Sequence, residues 1–89
     1  MAYASRDLSV IAYANGFTLW HYTTQDAATD VDTAGYFNDA ADMLRVGDMI
    51  LANTDTDGTL TSGILHVSAN DGSSVDVDDL TDVGSSDTD

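Results

Sequence analysis

The chain contains no glutamate, no lysine and no cysteine, and its fixed positive charge is confined to Arg6 and Arg45. Each absence excludes something. Without Cys there is no disulfide framework and no thiolate metal site, so the usual staples of a small domain are missing. Two Arg against 16 Asp cannot build the basic patch that phosphate recognition needs, which excludes a nucleic-acid partner. No stretch approaches the roughly 18 consecutive apolar residues of a membrane span, and residues 1–7 lack the basic-then-apolar pattern of a signal peptide. The expectation is a soluble protein with no membrane partner, unexported by any visible signal.

What the chain has in excess is aspartate. A formal net charge of −14 on 89 residues makes the surface repel itself at low ionic strength. The screening length falls from about 10 Å at 0.1 M salt to about 3 Å at 1 M, so a saline or halophilic setting suits such a surface. Asp is also a poor helix former that competes for backbone hydrogen bonds and prefers turns and caps, so the composition reads as turns joining strands. A chain of this length makes one domain and buries only about 60–65% of the surface its unfolded form exposes. Self-association or docking on a larger body is the natural supplement.

Residues 8–13 and 17–24 are β-preferring runs separated by Ala14-Asn15-Gly16, and Asn-Gly between such runs is a strong hairpin signal. Alternation in the second run puts Phe17, Leu19 and His21 on one face and Thr18, Trp20 and Tyr22 on the other, so the strand should be covered on both sides. Residues 25–33 read as a polar loop. Asn38 or Asp39 is placed to cap a short helix carrying Ala40, Ala41, Met43 and Leu44. Arg45-Val46-Gly47-Asp48 reads as a turn into a strand at 49–52, returning at 59–68. Asp71-Gly72 introduces a half-buried strand at 74–78. The expected fold is mainly β, a small barrel or two-layer sandwich of about five short strands with one short helix. It occupies residues 1–80, with an acidic flexible tail at 81–89.

Candidate sites are few. Asn53-x-Asp55-x-Asp57-Gly58 matches the first half of a calcium-binding EF-hand loop, but position 12 falls on Ile64 rather than a bidentate Glu. A plain acidic hairpin turn is the favoured reading and a partial Ca2+ loop the alternative; no other cofactor is expected. His21 and His66 lie among strand residues with no spacing that marks a zinc or catalytic site. Asp76, Asp78 and Asp79 could pair as acid and base, yet 16 carboxylates in 89 residues make close pairs unavoidable. No Gly-x-Ser-x-Gly elbow or phosphate loop is present. Trp20, Tyr22, Tyr36 and Phe37 read first as core. A domain this small need not enclose them all, which makes them candidate interface anchors.

The strings Gly16-Phe-Thr-Leu-Trp-His-Tyr-Thr-Thr24, Gly35-Tyr-Phe-Asn-Asp-Ala-Ala-Asp-Met-Leu44 and Val46-Gly-Asp-Met-Ile50 together resemble small virion structural proteins encoded near the major capsid protein in tailed viruses of bacteria and archaea. The resemblance spans roughly residues 15–80. It implies a non-enzymatic head decoration or cement protein on the capsid surface, assembled in the host cytoplasm, with the major capsid protein and copies of itself as partners. It brings no active-site residues with it. A tail or fibre-adaptor subunit and a small calcium- or carbohydrate-binding module are the alternatives.

Overall fold

The computed structural model describes residues 3–84. Six strands form one sheet: β1 (Leu8–Ala14), β2 (Phe17–Thr23), β3 (Met49–Thr54), β4 (Thr61–Asn70), β5 (Val75–Val77) and β6 (Thr81–Asp82). Their spatial order is β1-β2-β3-β4-β5, with β6 also paired to β4. The expected mainly-β class holds, but the sheet stays open and does not close into a barrel.

The β1–β2 hairpin turns on Asn15 and Gly16, both at positive φ (53° and 83°), with Ala14 opposite Phe17. This is the geometry that makes Asn-Gly a two-residue hairpin. β3 pairs antiparallel with β4, and β4 with β5. Between β2 and β3 the pairing is parallel, with Trp20 beside Ile50 and Tyr22 beside Ala52. A parallel pair needs a crossover, and residues 24–48 supply it.

That crossover covers one face of the sheet. Trp20, Tyr22, Ile50, Ala52, Leu65, Val67, Val75 and Val77 point into it and meet Val31, Phe37, Ala40 and Leu44. Phe37 stacks edge-on against Tyr22, with ring centroids 5.3 Å apart. Tyr3 lies against Tyr22, centroids 5.7 Å apart. The helix falls elsewhere than expected. Among the described residues the one α-helix is α1 (Ala28–Val31), in the segment read as loop, pinned by fully buried Val31. Residues 38–44 form a 3-10 turn at Asn38–Ala40 and further turns, because the Asn38 side chain does not cap. Its Oδ1 accepts the Val75 backbone N–H at 2.8 Å and closes the outer edge of β5.

The boundary at residue 80 is also corrected. Thr81 and Asp82 pair with Ile64 and Gly63, so the sheet takes up the first residues assigned to the tail; residues 85–89 of that tail lie outside the described residues. A Cβ on Gly63 would sit 2.6 Å from Leu80 Cγ and closer still to the Thr81 carbonyl oxygen. Only glycine lets β6 approach β4 there.

Candidate functional site

Two buried carboxylates fix the covered face. Asp48 precedes β3 and is 1% exposed. Its Oδ1 accepts the Thr18 N–H, and its Oδ2 accepts both the indole N–H of Trp20 and the Arg45 N–H, each at 3.1 Å. The Val-Gly-Asp turn is thus a device for delivering a carboxylate under β2. Gly47, at φ 98°, makes the reversal possible. At the other end of the core, Tyr36 donates to Asp26 Oδ2 at 2.6 Å, the Tyr22 and Tyr36 hydroxyls lie 2.8 Å apart, and the Ala4 N–H donates to Tyr22 Oη. Burial, then the hydrogen bonds to Asp26 and Tyr22, push the Tyr36 phenol far above its ordinary range.

These contacts put the aromatic set in the core, as its first reading has it, and correct the alternative of interface anchors. Trp20, Tyr22 and Phe37 are buried within the domain, and Tyr36 is half-buried and spent on Asp26. None is placed to anchor a partner. The Phe17–Leu19–His21 side of β2 is the one turned outward.

That outward face is continuous. Leu19, Met49 and His66 stand in one cross-strand row, and His21, Leu51 and Ile64 in the next; Thr23, Asn53 and Ser62 form a third. All are half-buried except Met49, which is exposed. A shallow groove of about 260 Å³ runs along it, lined in part by His21, Leu51, Ser62 and Val83. No Asp or Arg occurs anywhere in β1, β2, β3 or β4, strands of 7, 7, 6 and 10 residues. The described carboxylates belong to turns, to the crossover and to β5 and β6. The result is a sheet face on which β2, β3 and β4 mix four apolar side chains, Leu19, Met49, Leu51 and Ile64, with five polar ones and contribute no carboxylate of their own, bordered by Asp76 of β5 and by the Asp78 that pairs with His66.

The other candidates fare differently. Asn53 accepts a hydrogen bond from Ser62 Oγ at 2.6 Å on the open face, whereas Asp55, at φ 57°, has already left the strand, and Asp57 is exposed beyond it. Among the described residues no group of three His, Cys, Asp or Glu side chains is placed to hold a metal. His66 Nδ1 pairs with Asp78 Oδ2 at 2.9 Å on the surface, and His21 Nε2 lies 3.3 Å from Thr23 Oγ1. The two histidines border the apolar rows rather than meet. A groove of about 610 Å³ runs past Asn38, Asn70, Asp71 and Asp76. Within it, Asp71 is committed to its own turn, accepting the Ser73 and Ser74 N–H groups at 3.0 and 2.8 Å, which hold its carboxyl below the usual range.

Comparison with known protein families, with curated proteins and with solved structures returns no match.

Proposed function

We propose that the protein is a non-enzymatic virion structural protein, a decoration or cement subunit that docks on the outside of a capsid through the open face of its sheet. One observation carries this reading: the charge of an unusually acidic chain is withheld from its four longest strands, leaving a face on which β2, β3 and β4 carry no carboxylate, with exposed Met49 and half-buried Leu19, Leu51 and Ile64. Docking such a face removes apolar area from water at about 25 cal/mol per Å², and β2, β3 and β4 bring no carboxylate of their own into the contact; the exposed Asp78 that pairs with His66 borders it. The Asp-rich turns then face solvent and keep particles apart. The resemblance of residues 15–80 to capsid-associated proteins of tailed viruses supports the same reading, with the major capsid protein as partner; the saline habitat rests instead on the net charge of −14.

The test is reconstitution. Purified chain mixed with particles that lack it should bind saturably, co-sediment at native salt and raise the particles' resistance to heat. Failure to co-sediment across 0.1 to about 1 M salt would refute the reading.

A further inference from the structure

The sheet is finished at one edge and open at the other. On the β5 side, Gly35 donates its N–H to the Val75 carbonyl at 3.0 Å, and Asn38 Oδ1 takes the Val75 N–H, so the crossover occupies that edge. On the β1 side, no described strand pairs with the outer edge, and every residue from Ser9 to Gly16 is exposed. Val10 is 56% and Tyr13 62% accessible.

Natural sheets protect such an edge with charge, proline or a covering segment. Ser-Val-Ile-Ala-Tyr-Ala at residues 9–14 has no charge and no proline. Its one defence is a bulge between Val10 and Ala12. In a chain with 16 Asp, leaving this strand bare is the opposite of what solubility alone would favour.

We infer that β1 is a self-pairing edge: two copies of this chain join antiparallel through their β1 strands about a two-fold axis, continuing the sheet from one protomer into the next. The occupant is a second copy for two reasons. A two-fold contact needs only one strand's own backbone to be self-complementary, and an unpaired β-edge is that by construction. Electrostatics adds the second reason. Two bodies of charge −14 repel except where their carboxylates are distant, and residues 8–25, which make the whole β1–β2 hairpin, contain no Asp. The inference concerns the purified chain alone and stands apart from what the open face binds.

Sedimentation equilibrium of the wild-type chain at about 0.1 and 1 M NaCl tests it, with hydrogen exchange on the dimer. The expected result is a monomer–dimer equilibrium that tightens with salt and protects outward-facing amides among residues 9–14. The double substitution Val10→Asp, Tyr13→Asp sits at exposed positions and should leave the circular dichroism unchanged while weakening association about tenfold or more, or by at least 1.4 kcal/mol. Met43→Asp, an exposed change on the crossover, should leave association unaltered. A wild-type chain that stays monomeric to about 1 mM at the higher salt would overturn the inference. So would a dimer indifferent to the double substitution. A monomer whose particle binding is abolished by the double substitution would assign the edge to the capsid and likewise refute self-pairing. Particle binding that fails while the dimer forms would refute only the decoration reading.

Discussion

Replacing Asp48 should reveal how much of the fold hangs on one carboxylate. In Asp48→Ala the Thr18 N–H, the Trp20 indole N–H and the Arg45 N–H all lose their acceptor. A buried donor left unpaired costs about 1–3 kcal/mol. Two of these three lie in buried surroundings and the third is part-buried, so the sum is about 3–6 kcal/mol after some water relief. A domain of this size has about 4–13 kcal/mol in all. The variant should therefore be largely unfolded at 25 °C or lose most of its urea midpoint. Asp48→Asn keeps one acceptor oxygen, best used by Trp20 and Arg45 together, but sets an NH2 group against the Thr18 N–H; about 2–3 kcal/mol should be lost. Trp20→Phe removes one donor and leaves Arg45 on the same oxygen, for about 1–3 kcal/mol. Urea titration followed by far-ultraviolet circular dichroism, with Trp20 fluorescence where it is retained, gives all three. An Asp48→Ala chain within about 1 kcal/mol of wild type, or as stable as Asp48→Asn, would refute the reasoning.

Three further outcomes are expected. The thermal midpoint should rise between about 0.1 and 1 M NaCl as the screening length falls from about 10 to 3 Å; a flat or falling midpoint would remove the physical support for a saline habitat. The Tyr36 phenol, raised by burial and by its bonds to Asp26 and Tyr22, favours the folded state fully below the ordinary tyrosine value of about 10, and that stability drains away as pH climbs above it. Alkaline unfolding should accordingly be shallower in Tyr36→Phe, and an identical slope in both chains would exclude Tyr36 as the cause. Gly63→Ala forces a Cβ into Leu80 and the Thr81 carbonyl and should cost about 1–3 kcal/mol while speeding amide exchange at residues 81–83; unchanged exchange there would mean that β6 yields without strain.

Local rules carried the hairpins and little of the topology. Asn15-Gly16 was legible because both positive-φ positions lie within the turn itself, and the alternation in residues 17–22 gave the correct partition of side chains. It could not say which face is core, since Trp20 and Leu19 are both apolar. The answer depends on the crossover, whose arrival is set by the parallel β2–β3 pairing across roughly two dozen residues. The same distance hid the role of Asp48, whose donors on β2 lie 30 and 28 residues away. Asn38 misled for a related reason: as a local cap it would start a helix, but Val75, 37 residues on, claims its side chain. Two signals were present in the sequence and point to the site. Gly63 within an apolar strand marks a close approach. The freedom of residues 8–25, 49–54 and 58–70 from Asp marks the strands whose outward face is to stay uncharged.

The central claim is that the open sheet face is what binds. Its most direct test is particle co-sedimentation of Met49→Asp, which places a carboxylate at an exposed position (40% accessible) on the central strand of that face, in its first row, against Met43→Asp on the crossover, equally accessible. Both chains should fold as wild type by circular dichroism. Binding should fall at least about tenfold for Met49→Asp and remain at the wild-type level for Met43→Asp; equal binding by both, or loss only in Met43→Asp, would contradict the account.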